Sequence, residues 1–112
     1  MNSPDTTRGT PSLRLARLPD DGAPVLVVTG EVDVYEAPAF RHELLGIIDE
    51  GHERIVVDCS GMRFIDSAGL ASLVDAQRRM SARDGTIVLR GMRPAARRIF
   101  EITDLKSLFA FD

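Results

Sequence analysis

A serine directly after an aspartate, Asp66-Ser67, stands where an apolar run has passed through polar turn residues and an amphipathic segment opens. With Asp66 as N-cap, its carboxylate can accept from the amides of Ala68 or Gly69, and its charge suits the positive end of a helix. Ser67 then takes the first helical position, where a side chain points away from the helix body and its hydroxyl is available for esterification. The same spacing suits a small residue that a helix start merely tolerates, and spacing alone leaves both readings open.

Gly69 falls inside that helix, where glycine costs up to about 1 kcal/mol relative to alanine. Either the helix approaches a sheet closely there, or small Ala68 and Gly69 let a partner's backbone come near Ser67. A second acidic turn, Gly30-Glu-Val-Asp-Val-Tyr-Glu36, follows another apolar run. Its Asp33 can face the rim that carries Asp66 and Ser67, or it can cap the helix that follows. Asp58 and Ser60 read as turn formers that hydrogen-bond their own loop. His42 and His52 read as surface positions, too isolated for a metal site. Cys59 lies in an apolar run and reads as a small buried hydrophobe, not a nucleophile.

The elements that must position these residues follow from patterning. Leu13, Leu15 and Leu18 begin a strand, Pro19 to Gly22 turn the chain, and Val25 to Val28 with Val32 supply a second strand, which makes a hairpin. Pro38 suits a first helical turn, and Phe40, Leu44, Ile47 and Ile48 recur on one face until Gly51 stops the helix. Ile55-Val-Val57 reads as a central strand covered on both sides, with a turn from Asp58 to Ser67. The next helix is predicted over residues 67–83, with Leu70, Leu73, Val74, Gln77 and Met80 inward. Thr86 to Leu89 form another strand, a short helix from Pro94 turns Ala95, Ile99 and Ile102 inward, and Leu108 to Phe111 make a last edge strand.

The order is therefore β-β-α-β-α-β-α-β: an α/β fold in one domain, mainly parallel and opened by a β-hairpin. Residues 1–11 are expected as a loose tail and 12–112 as the domain. In such sheets the working site lies at the carboxyl ends of the strands, where the Asp33 and Asp66 turns belong.

Composition bounds the function without naming it. At 112 residues, 44% hydrophobic and 28% charged, the chain fits a single ordinary globular domain. A net charge of −3 and a pI near 5.3 argue against general nucleic-acid binding and favour protein partners. Arg90, Arg93, Arg97 and Arg98 run the other way, as a solvated helix face or an anion site, and stay unassigned. One cysteine excludes an internal disulfide, and neither a signal-peptide core nor a run of transmembrane length is present, so no membrane contact and a cytoplasmic location are expected.

The two acidic turns resemble those of the anti-sigma factor antagonists, proteins of the STAS fold. The resemblance rests on Gly30-Glu31-Val32-Asp33 with Ala37-Pro38, and on Asp58-Cys-Ser60-Gly-Met-Arg-Phe64-Ile65-Asp66-Ser67-Ala68-Gly69-Leu70. In element order it covers residues 12–111. It implies a bacterial partner switch: the unmodified antagonist binds an anti-sigma factor and so releases a sigma factor. The anti-sigma factor is usually also an ATP-dependent serine kinase, and a PP2C-type phosphatase resets the modified antagonist. The motif places the phosphorylated serine at Ser67 and the acid that helps orient it at Asp33, with Asp66, Ala68 and Gly69 completing the partner-binding tip. No cofactor is implied. Glu36 departs from the pattern, standing where a small hydroxyl residue is common, and Cys59 stands where a larger apolar residue is usual.

Three other readings compete. A two-component receiver domain would use Asp58, but it needs an acidic pair after the first strand and a lysine after the last, and Lys106 precedes the final strand. A serine hydrolase at Ser67 lacks the Gly-x-Ser-x-Gly elbow. A scaffold or adaptor of the same fold in a signalling or transporter complex, never phosphorylated, would show the same residues.

Overall fold

The computed structural model describes residues 12–18 and 22–112. The expected tail at 1–11, and Pro19 to Asp21 of the expected hairpin turn, lie outside them. Within them the chain forms β1 (Leu13–Leu18), β2 (Val25–Val32), α1 (Ala37–Asp49), β3 (Arg54–Ile65), α2 (Ser67–Ser81), β4 (Thr86–Arg90), α3 (Pro94–Ile102), a 3-10 turn (Lys106–Leu108) and β5 (Ala110–Phe111). This is the element order expected from the patterning.

Five strands make one sheet in the order β1-β2-β3-β4-β5, with β1 antiparallel to β2 and every other pair parallel. Because spatial order follows chain order, crossovers of one hand place the three helices on one face of the sheet. The alternation in β2 agrees: Leu26, Val28 and Val32 are sealed against Phe40 and Leu44, while Val25 and Val27 on the opposite face are half-buried and Thr29 is exposed. In β3, Ile55, Val56 and Val57 are all buried, as expected for the central strand.

Two elements depart from expectation. Strand β3 does not turn at Asp58 but runs on to Ile65. Its pairing with β2 slips twice, from Val27↔Asp58 to Thr29↔Gly61 and from Gly30↔Met62 to Glu31↔Phe64, each time with one extra residue on β3. These bulges break the alternation that marks a strand in sequence. Asp58 still satisfies its neighbour as a turn former would: its Oδ1 accepts from the Ser60 amide at 3.0 Å and the Ser60 hydroxyl at 2.7 Å. Helix α3 is rotated from the expected face, burying Ala96 and Phe100; of the residues expected inward, Ile99 is half-buried against the core, Ala95 is exposed and Ile102 is 74% exposed. The Phe100 ring decides the rotation, meeting Phe109 and Phe111 edge-on at 5.5 and 5.6 Å between centroids. Only Ala110 and Phe111 of the expected last strand pair with β4; Leu108 belongs to the 3-10 turn.

Helix α2 packs as its sequence suggests, with Leu70, Leu73, Gln77 and Met80 buried and Val74 half-buried. Gln77 is buried yet satisfied. Its Oε1 accepts from the Ile87 amide at 2.8 Å, a donor in β4 lying beyond the two residues that short β5 pairs, and its Nε2 donates to the Ser81 hydroxyl at 2.9 Å. The helix ends earlier than residue 83, and Asp84 takes the left-handed conformation (φ 61°) that reverses the chain. Arg41 of α1 and Asp75 of α2 form an ion pair, and the Arg83 guanidinium caps the Ile48 carbonyl, which ties the two helices together. No helix among the described residues is long and apolar enough to cross a membrane.

Candidate functional site

The site forms where β2 and β3 end side by side. Val32 pairs with Ile65, so Asp33 and Asp66 are the first residues beyond two adjacent strands, and the Asp66 amide donates to the Val32 carbonyl at 3.2 Å. Both acidic turns therefore share one rim, as expected from the sheet's polarity.

At Asp66 the backbone is extended (φ −105°, ψ −170°), the conformation an N-cap requires. Its Oδ1 accepts from the amides of both Ala68 (2.9 Å) and Gly69 (3.1 Å), which satisfies two of the donors a helix start leaves orphaned. Ser67 follows at the first helical position and is exposed. Its hydroxyl makes no hydrogen bond among the described residues. Ser72, one turn on, behaves oppositely: it is buried, and its hydroxyl donates to the Ala68 carbonyl at 3.1 Å.

Gly69 is buried, and a methyl group there would lie 2.6 Å from the Val32 carbonyl oxygen and 2.8 Å from Ile65 Cγ1. Close approach of helix to sheet accounts for this glycine. Its contribution to the rim is to seat the tip of α2 directly on the ends of β2 and β3. Ala68 is half-buried beside it.

Asp33 spends its carboxylate on its own turn: Oδ1 accepts from the amides of Tyr35 and Glu36, both at 3.0 Å, and its carbonyl accepts from Glu36 and Ala37. The formal N-cap of α1 is Glu36, whose side chain makes no capping bond and instead accepts from the Ser12 hydroxyl at 2.9 Å. Asp33 thus shapes the loop that flanks Ser67. That loop presents Val34 and Tyr35 to solvent, 59% and 77% exposed, and Phe64 is exposed on the adjoining end of β3. Sequence reasoning passed over these three; the signal was two large apolar residues inside an acidic turn. Across the rim Arg63 and Glu31 lie within 3.8 Å.

The remaining candidates sit away from this rim. Cys59 is buried in the core, and burial, aided by the Asp58 charge, pushes its thiol up to about 12. It is therefore a thiol at neutral pH and no nucleophile. His42 is exposed, and His52 pairs with Glu50 at 2.9 Å beyond the end of α1. The arginine cluster is largely occupied: Arg90 pairs with Asp112 at 3.2 Å, Arg93 donates to the Ser60 carbonyl at 3.1 Å, and Arg97 lies 4.7 Å over the Phe111 ring. These contacts hold the C-terminal edge to the sheet.

Comparison with known proteins agrees with this geometry. The family profile described as Mlab, STAS domain, matches residues 17–110. An anti-sigma-B factor antagonist of Staphylococcus aureus is 32% identical over 81 residues, which is 72% of this chain and 75% of that protein. The crystal structure of an anti-sigma factor antagonist from Mycobacterium paratuberculosis superposes with a TM-score of 0.78 at 28% identity, covering 99% of this chain and 89% of that one. The phosphorylated form of the Bacillus cell fate determinant SpoIIAA shares the fold, with a TM-score of 0.68 at 21% identity over 89% of this chain and 90% of its own. The chain belongs to the anti-sigma factor antagonist family of STAS-domain proteins.

Proposed function

We propose that this protein is a phosphorylation-controlled antagonist: its unmodified form binds an anti-sigma factor through the Asp33–Ser67 rim and frees a sigma factor, and phosphate on Ser67 ends that binding. The observation that carries the reading is the exposed, hydrogen-bond-free hydroxyl of Ser67, set by the Asp66 cap at the first position of α2. The anti-sigma factor is itself the serine kinase, and a PP2C-type phosphatase restores the hydroxyl. Asp33 holds the flanking loop, and Asp66, Ala68 and Gly69 hold the tip in place.

Electrostatics favour release. Phosphate adds about −1.5 to −2 charges beside Asp66 and Asp33. At an effective dielectric near 20, two unit charges roughly 6 Å apart interact by about 3 kcal/mol before salt screening, enough for a tenfold to hundredfold loss of affinity against an acidic or nucleotide-bearing surface. The fold has no reason to suffer, since phosphate at a helix N-terminus is locally favourable. SpoIIAA, which shares this fold, has been solved in phosphorylated form.

The test is incubation with the purified anti-sigma factor and ATP, read by mass spectrometry. One phosphate on Ser67 is expected, absent in Ser67→Ala, which keeps partner binding. An unlabelled protein that still binds would instead establish the non-phosphorylated adaptor.

A further inference from the structure

Ser12, the residue before β1, touches the turn from Glu31 to Glu36 at both of its ends. Its carbonyl accepts from the Glu31 amide at 2.8 Å, and its hydroxyl donates to Glu36 Oε2 at 2.9 Å. The contact at the entry is tight: Gly30 has a φ of 103°, and a methyl group there would lie 2.0 Å from the Ser12 carbonyl oxygen. At the exit Glu36 is the N-cap of α1 yet makes no capping bond, its carboxylate reaching back to Ser12 instead.

We propose that Ser12 and Glu36 are positioning residues for the switch: their hydrogen bond clamps the turn that carries Asp33, Val34 and Tyr35, and so sets how well the anti-sigma factor engages Ser67. The inference rests on the reading of Ser67 given above and deepens it by adding a brace from outside both acidic turns.

Three features carry it. Within the turn, the Asp33 carboxylate accepts from the amides of Tyr35 and Glu36, and its carbonyl from those of Glu36 and Ala37, which fixes the shape of the loop. The Ser12–Glu36 bond joins residues 24 apart in sequence and fixes instead where that shape sits against the sheet. Next, the bond is half-buried and its acceptor is a carboxylate, the stronger kind of hydrogen bond. Finally, the turn adjoins the reacting group, because Val32 pairs with Ile65 and the chain leaves the sheet side by side at Asp33 and Asp66. Releasing the clamp lets exposed Val34 and Tyr35 shift at the margin of any surface that covers Ser67, while the Asp66 cap holds the Ser67 end of α2 as before.

The test follows phosphorylation of Ser67 on the full chain by the purified anti-sigma factor and ATP, with initial rates read by mass spectrometry over a range of antagonist concentrations. Ser12→Ala and Glu36→Ala should each raise KM about threefold to tenfold, the worth of one hydrogen bond, with kcat within about twofold of wild type. The double variant should match the single ones, since each already removes the same bond. Ser12→Thr and Glu36→Gln keep a donor and an acceptor, and their KM should stay within about twofold of wild type. Thermal melting of every variant should coincide with that of wild type, which separates a moved turn from a weakened fold. Unchanged KM in both alanine variants, additive losses in the double variant, or a rise in KM that tracks a lowered melting temperature would overturn the proposal. Failure of the Ser67 reading looks different: wild type itself would take up no phosphate at Ser67, and the proposal would fall with it.

Discussion

The two helices that meet the rim begin differently. At the first helical position α1 has Ala37, which is buried, whereas α2 has Ser67, which is exposed. Two residues further on, α1 has the exposed Ala39 and α2 the buried Gly69. In α1 the acid that closes the start, Asp33, lies three residues before the N-cap and is absorbed in its own turn. In α2 the acid is the N-cap itself. The second arrangement turns the first helical side chain toward solvent while glycine two positions later takes up the close contact with Val32. The α1 start is a way to anchor a helix; the α2 start also displays a hydroxyl. Both carboxylates accept backbone hydrogen bonds through Oδ1, and in the proposed switch they position Ser67 while the phosphoryl donor comes from the partner.

Breaking this comparison should be hardest at Gly69. Gly69→Ala pushes a methyl group into the Val32 carbonyl and should cost about 1 to 3 kcal/mol in urea unfolding. The matching change in α1, Ala39→Gly, should cost no more than about 1 kcal/mol, the propensity difference alone. Asp66→Ala removes an acceptor from two amides and should lower stability by about 1 kcal/mol, with hydrogen exchange quickening at Ala68 and Gly69. Asp33→Ala should cost about 0.5 to 1 kcal/mol and loosen the Tyr35 loop, seen as faster exchange at Tyr35 and Glu36, while leaving the α2 cap intact.

The smallest effect lies at the far end of α1. There the Arg17 hydrogen bonds, helped by His52, hold the Glu50 carboxyl down at about 2, against an ordinary 4.5. A carboxyl depressed by folding contributes stability above its unfolded value and loses it as pH falls toward the folded one. The stability gap between wild type and Glu50→Gln should therefore be present at neutral pH, narrow below pH 4.5 and close near pH 2, as followed by urea titration. The pair is exposed, so the gap is slight.

Much of this was legible in sequence because local signals agreed with the fold. The Pro38 start, the Phe40–Ile48 face of α1, the Asp66 cap and the inward positions of α2 are short-range patterns, and the structure keeps them. Strand β3 was legible only as far as Val57, because two bulges move its inward residues from every second position to Cys59, Met62 and Ile65. The face of α3 was misread because nine residues carry two apolar stripes, and what chooses between them is Phe109 and Phe111, more than one turn beyond the helix. At the site, the chemistry of Asp66 and Ser67 could be read from residue types. The exposure of Tyr35 and Phe64 depends on how separate elements pack, which no local pattern encodes.

The central claim is that phosphate on Ser67 acts on a contact surface and not on the fold. The most direct measurement pairs thermal melting with calorimetric binding to the anti-sigma factor, for the unmodified chain and for the chain phosphorylated at Ser67. The account predicts coincident melting curves and affinity lower by roughly tenfold to a hundredfold in the phosphorylated form. Equal affinity, or a phosphorylated chain that melts far below the unmodified one, would contradict it.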